Sequence, residues 1–187
     1  MADSIKNGYR EERKQISADS GEFLLSEGYY ADGVKDGKWI TYYSDKKQHV
    51  KFVVHYTKGV VDGPVSGYFK TGELKWRISY RNGKKDGISR SFYKDGAIKE
   101  ECYYRNDLAD GVSRNFYRTG ELKWELTWEN NTPHGPLRCY YKSGRIKKEG
   151  SYVDGLLEGT VVEYAENGDI LRKYEYYMGE IIGKGEA

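Results

Sequence analysis

At 187 residues the chain is long enough for one ordinary domain, and although 37% hydrophobic and 32% charged residues make it polar, 19 Tyr, 4 Trp and 5 Phe exclude a disordered chain. The formal net charge of +2 is too small for a general field toward nucleic acid or membrane. Cys102 and Cys139 are the only cysteines, too few for a disulfide-framed secreted domain, and they read as reduced thiols. The N-terminal segment has no apolar core of a signal sequence, and no apolar run of about 18 residues occurs, so the expected location is the cytoplasm.

Taken in chain order, residues 1 to 20 carry no repeated pattern, and a short helix near Glu11 to Ile16 is one reading of them. Leu24 to Tyr30 resemble the returning strand of a degenerate opening unit, so the segment 1–23 is expected to cap the repeats. From there a glycine recurs at Gly37, Gly63, Gly87, Gly111, Gly135, Gly159 and Gly183, first after 26 residues and then every 24. An aromatic pair accompanies it in phase (Tyr42-Tyr43, Tyr68-Phe69, Phe92-Tyr93, Phe116-Tyr117, Tyr140-Tyr141), with Tyr164-Ala165 as a half-match. Then come a turn glycine (Gly72, Gly96, Gly120, Gly144, Gly168), a Leu or Ile two residues later, and an aromatic at Tyr80, Tyr104, Trp128, Tyr152 and Tyr176.

Each unit therefore reads as strand, tight turn, strand, second turn. Gly and Asn-Gly, as at Asn82-Gly83, serve the positive φ that such turns need. The first full unit lacks the turn glycine and has two extra residues between Tyr43 and Tyr56, which predicts a longer or bulged loop. Repeats span 24–183, leaving 184–187 as a tail. The predicted fold is all-β: an elongated, single-sheet antiparallel meander of tandem 24-residue β-hairpin repeats, of about thirteen strands and roughly 60 Å long at ~4.8 Å per strand.

The stretch SYRNGKKDGISRSFYKDGAIKEECYYRNDLADG, with its aromatic, Gly-Lys, acidic-Gly and Tyr/Phe pairs, resembles the bacterial variant of the MORN repeat. The eukaryotic MORN consensus is shorter and richer in Gly. Choline-binding modules and the YD repeats of polymorphic toxins look superficially alike but usually belong to exported proteins. The chain is similar to the YwqK-like group, which includes members described as antitoxins or immunity proteins. That resemblance implies a role in neutralising a toxin by direct binding.

With a four-residue turn, the second aromatic of each pair lies opposite the Leu or Ile beyond the turn, and alternation assigns two faces. Phe69, Leu74, Trp76 and Ile78, with Tyr93, Ile98 and Cys102, then Tyr117, Leu122, Trp124 and Leu126, form the expected packed face. The other face gathers Tyr68, Phe92, Phe116 and Tyr140 opposite Lys75, Lys99, Lys123 and Lys147. On it Arg90, Arg114 and Arg138 fall opposite Glu101, Glu125 and Glu149. A solvated ladder that fixes register is the plainer reading of this second face. As a recognition strip, Tyr68, Arg90, Phe92, Arg114, Phe116, Arg138 and Tyr140 are the expected partner-binding residues, since rings and Arg anchor interfaces. A basic stripe through Lys70, Lys94, Arg118 and Lys142 beside the other lysines could meet single-stranded nucleic acid or anionic lipid, but interleaved glutamates dilute it.

Catalysis needs different groups converging at one place, whereas this chain spreads like groups along a lattice. His49, His55 and His134 show no metal-ligand spacing, and no Cys-x-x-Cys or phosphate loop occurs. Asp36, Asp62, Asp86 and Asp110 are expected to bond local backbone N–H groups. No enzyme, metal or cofactor is expected. The leading expectation is a protein-binding repeat protein, plausible partners being a cognate toxin or a second copy of itself as scaffold; a binder of anionic polymer or lipid is the weaker alternative.

Overall fold

The computed structural model describes residues 7–15, 23–44 and 46–185. The described residues form seventeen strands and no helix: β1 Gly8–Gln15, β2 Phe23–Ala31, β3 Val34–Tyr42, β4 Val50–Thr57, β5 Val60–Val61, β6 Gly63–Tyr68, β7 Leu74–Arg81, β8 Lys84–Phe92, β9 Ile98–Arg105, β10 Leu108–Ala109, β11 Gly111–Phe116, β12 Leu122–Glu129, β13 Thr132–Tyr140, β14 Ile146–Val153, β15 Leu156–Tyr164, β16 Ile170–Tyr177 and β17 Glu180–Gly185. The chain divides into two compact units, one up to Gly96 and one from Ala97. Within each, the strands pair antiparallel in chain order, β5 and β6 both pairing with β4 and β10 and β11 both with β9, which is the hairpin meander that the repeats predict. Strands exceed the expected thirteen because β1 and β17 add to the series and irregular pairing splits β5 from β6 and β10 from β11.

The helix considered near Glu11 to Ile16 is not formed. Gly8 to Gln15 instead pair with β2 from Gly8↔Tyr30 to Gln15↔Phe23, while Ile16 lies outside the described residues. A segment so rich in Arg, Lys and Glu carries no apolar stripe for a helix to bury, and pairing satisfies its backbone without one. Lys184 and Gly185, expected in the tail, are the last residues of β17 and pair with Tyr174 and Lys173.

Two turn types alternate. At one end of each hairpin stands a two-residue turn with both central residues at positive φ, such as Asn82-Gly83 at 49° and 81° or Asn130-Asn131 at 49° and 67°. These turns match the right-handed twist of the flanking strands. Their second N–H reaches back to the preceding hairpin: Gly83 to Val61 O and Asn131 to Ala109 O, both at 2.8 Å. Consecutive repeats are thereby locked together by main-chain bonds. The phase-marking glycine is not a turn residue, as the sequence suggested, but sits in an irregularity of the outgoing strand. Gly135, at φ 95°, lies where the β12–β13 register shifts between Leu126 and Trp128, a conformation that a side chain would strain.

The expectation of one packed face is corrected. Val161 is 0% exposed and its neighbour Val162 8%, and since consecutive strand residues point to opposite faces, both faces of β15 are covered there. Leu25, Trp39, Val53 and Ala109 complete the buried apolar set, with Ser66 and Ser113 beside them. Rings close over glycines where the backbone leaves room: a Cβ at Gly28 would lie 2.5 Å from Trp39, and one at Gly67 2.3 Å from Trp76. Asp36 acts across hairpins, accepting from the Lys58 N–H at 2.9 Å, whereas Asp86 and Asp110 pair with Arg81 and Arg105 of their own hairpins at 3.6 and 3.2 Å rather than with backbone N–H groups.

Candidate functional site

The hairpin tips decide how the aromatic columns are presented. In the unit beginning at Gly111, the Tyr117 N–H donates to Glu121 O at 2.8 Å and the Gly120 N–H to Tyr117 O at 2.9 Å. The loop between Tyr117 and Glu121 is thus three residues long, with Gly120 at φ 101°, and not four as the sequence suggested. The shorter loop moves the register near the tip by one. Phe116, not Tyr117, stands across from Leu122, and the next pair is Asn115↔Trp124, leaving Lys123 as the extra residue. Tyr68↔Leu74 and Tyr140↔Ile146 repeat this, so Lys75, Lys123 and Lys147 are not opposite the first aromatic of each pair.

Farther from the tips the pairing follows alternation: Arg114↔Glu125 and Arg138↔Glu149. One cluster forms around Glu125. It accepts the Tyr140 hydroxyl at 3.0 Å and faces Arg114 Nε at 3.4 Å and Arg138 Nη1 at 3.7 Å. Burial and this carboxylate both push the Tyr140 phenol up. The same bond, fifteen residues apart, joins Tyr42 to Glu27 at 2.6 Å and Tyr164 to Glu149 at 2.7 Å. Arg90 lies opposite Arg77 in β7, and Phe92 and Tyr68 end their strands half-buried. Tyr140, Arg114 and Arg138 are therefore brought together, but their polar groups are already engaged with one carboxylate. A partner at this strip would have to displace those contacts.

The second aromatics present a different surface. Each hydroxyl donates to the main-chain carbonyl of the first aromatic in the next repeat: Tyr43 to Tyr68 O at 2.7 Å, Tyr117 to Tyr140 O at 2.9 Å, Tyr141 to Tyr164 O at 2.7 Å. With the hydroxyl fixed, the ring face stays open to cations. Lys75 lies over Phe69 at 5.7 Å, Lys123 over Tyr117 at 5.8 Å, and Lys147 over Tyr141 at 5.6 Å. From the next tip along the chain, Lys70 reaches Tyr43 at 5.8 Å and Lys142 reaches Tyr117 at 5.9 Å. Such contacts contribute about 0.5–1 kcal/mol each at exposed sites. Between Tyr117 and Tyr141 opens a groove of about 280 Å³, lined also by Lys123, Trp124, Cys139, Tyr140, Lys147, Lys148, Glu163, Tyr164 and Leu171. Its floor is Cys139, paired across the strands with Trp124 and Lys148. Burial pushes the Cys139 thiol up, against the opposing pull of Lys148, Lys147 and Lys123.

This groove is the candidate site, and residue patterning placed its members in two separate categories. Alternation assigns Tyr117 and Trp124 to the packed face, and Tyr140, Lys123 and Lys147 to the opposite face, where Tyr140 is one of the expected partner-binding residues. The signal that joins them is the three-residue loop, which brings each lysine beside the second ring.

Other polar clusters serve structure. Glu27 meets Lys47 at 2.5 Å and Tyr42 on its own side of the long first loop, which closes with the Tyr43 N–H on His49 O at 2.9 Å. His55 Nδ1 lies 2.8 Å from Pro64 O, and His134 Nδ1 3.4 Å from Asp154. Among the described residues no three His, Cys, Asp or Glu side chains are grouped to hold a metal ion, and no helix is long and apolar enough to cross a membrane. Cys102 and Cys139 are free and half-buried.

A comparison with curated proteins gives no match. A family model described as MORN repeat variant matches residues 85–106, 133–154 and 157–176, so over three of its hairpin repeats this chain is similar to that repeat.

Proposed function

We propose that the chain is a non-catalytic binding protein, and that its specific role is that of an antitoxin or immunity protein which holds a toxin partner by direct contact. MORN-variant repeats suggest a repeat-based binding protein. The observation that carries the reading is the recurrence of one arrangement, an aromatic ring with its hydroxyl tied down and lysines beside it, on successive hairpins. Rigid rings contribute contact area at low entropic cost, and a repeated surface suits an extended protein partner better than a single small substrate. The cytoplasm is the compartment in which such a protein with reduced thiols would act.

The test is affinity capture of the tagged chain from its own cells, with mass spectrometry and reconstitution of the purified pair. A stoichiometric partner whose expression arrests growth, relieved by co-expression of this chain, supports the reading. Recovery of a partner without toxicity keeps the binding role and removes the antitoxin role; recovery of no partner removes both.

A second reading, self-association, is favoured by a separate observation. Leu171, Tyr177, Met178 and Ile182, on β16, β17 and the turn between them, are 54 to 68% exposed. A mass measurement over a hundredfold concentration range decides it: a constant monomer mass excludes a scaffold built from copies of the chain.

A further inference from the structure

The repeat pattern breaks beside the groove. At the position of Lys75, Lys123 and Lys147 in earlier repeats stands Leu171, and at the position of Tyr117 and Tyr141 stands Ala165. The outer side of Tyr141 therefore faces no further ring of the column, and Leu171, 54% exposed, supplies an apolar lip where a cation would otherwise stand. The walls are thus the rings of Tyr117, Tyr141 and Trp124, and the floor is a small thiol.

The volume of about 280 Å³ falls just under the ~300–1,000 Å³ of sites that enclose small molecules, and suits one large side chain entering from above. Around the rim the charge is positive. Lys123, Lys142 and Lys147 lie over tyrosine rings and none of them forms an ion pair among the described residues, whereas Lys148 is held by Glu163 at 3.3 Å. Successive rings of the column are two strands apart, roughly 10 Å at ~4.8 Å per strand, which is the reach of about three extended residues.

We propose that the groove between Tyr117 and Tyr141 seats one aromatic or leucine-sized side chain of an acidic segment in the partner protein, with carboxylates flanking that anchor meeting Lys123, Lys142 and Lys147. The inference rests on the reading of the chain as a binding protein and names the chemistry that its site recognises. A peptide fits better than a polynucleotide. Glu163 in the wall and Glu121 at the Tyr117 tip oppose a continuous phosphate backbone, while a peptide can place its carboxylates only where the lysines are. The net charge of +2 also gives little general attraction for a polyanion.

The test is selection of a phage-displayed random dodecamer library on the full chain, with titration of synthetic copies of the enriched peptides. The expected consensus is an aromatic or Leu with Asp or Glu within three residues on either side. Replacing the anchor by Ala is expected to weaken binding roughly tenfold or more, as truncation of a central anchor does. Two variants probe the groove separately: Lys123→Glu with Lys147→Glu reverses the rim charge, and Cys139→Leu fills the floor without changing charge. Each is expected to weaken the peptide about tenfold, while Lys38→Glu, elsewhere on the chain, leaves it unchanged. No enrichment, a consensus without acidic residues, equal binding by the Ala peptide, tighter binding of an oligothymidylate, or indifference to both groove variants overturns the proposal. If a captured protein partner binds all of these variants equally, the groove is wrong while the binding role stands.

Discussion

Gly67→Ala tests the packing of tryptophan on glycine that organises the first unit. The methyl group would stand 2.3 Å from Trp76 Cε2 and 2.6 Å from Cζ2, where ordinary contact begins near 3.4 Å, so the indole must withdraw by about 1 Å. Trp76 lies directly across from Gly67 and also touches Phe52, on the strand flanking Gly67 on its other side, with ring centroids 6.0 Å apart, so its retreat disturbs that contact as well. Forced rearrangements of this size cost about 1–3 kcal/mol. Gly67 is not at positive φ, so backbone strain adds nothing and Ala alone would favour the strand slightly. Urea unfolding monitored by circular dichroism measures the cost, and the Trp76→Leu background isolates its cause. There, with the ring gone, the added methyl should cost less than about 0.5 kcal/mol. A loss below about 0.5 kcal/mol in the parent chain, or an equal loss in both backgrounds, refutes the steric explanation.

The same geometry sets three other outcomes. The Glu27 carboxyl is pushed up by burial, but hydrogen bonds from Lys47, Tyr42 and Tyr9 prevail and hold it near 2, below its ordinary 4.5. A depressed carboxylate stabilises fully above its unfolded value, so the N-terminal hairpins should lose stability as pH falls from about 4.5 through 2; Glu27→Gln should flatten that part of the acid-unfolding profile, and an unchanged profile would contradict the assignment. Tyr117→Phe removes the hydroxyl donor to Tyr140 O and should cost about 0.5–1.5 kcal/mol in thermal or urea unfolding, with faster amide exchange in β13. Arg138→Ala breaks an ion pair at 3.7 Å whose cation is 47% exposed and should change urea stability by less than about 1 kcal/mol. A larger loss would show that the ladder is more than a register device.

The hairpin repeat was legible because its period is carried by residue types that act locally. Turn glycines, Asn-Gly and paired aromatics require no knowledge of distant contacts, and the pairings Arg114↔Glu125 and Arg138↔Glu149 follow from alternation alone. What escaped was set by a single residue of loop length. A three-residue loop at Gly120 instead of four puts Phe116 across from Leu122 and frees Lys123 to lie over Tyr117, and both loops are compatible with Arg-Thr-Gly-Glu. The phase glycine was equally ambiguous, because Asp-Gly suits a turn and a bulge alike and only the strand pairing distinguishes them, as at Asp86-Gly87, where the β7–β8 register shifts between Ile78 and Tyr80. β1 could not be read from periodicity, since its pairing with β2 rests on contacts such as Tyr30 with Glu12 at 2.5 Å rather than on an apolar pattern. Leu171, which lines the groove where earlier repeats carry lysine, departs from its column, and a repeat consensus discards such departures.

Amide hydrogen exchange of the chain alone and in complex with its captured partner locates the binding surface directly. Binding through the ring-and-lysine surface predicts slowed exchange at the tips joining β11 to β12 and β13 to β14, around Tyr117 and Tyr141, together with the floor at Cys139. Protection confined to β16 and β17, with those tips unchanged, would contradict it and assign the interface to the exposed apolar strands instead.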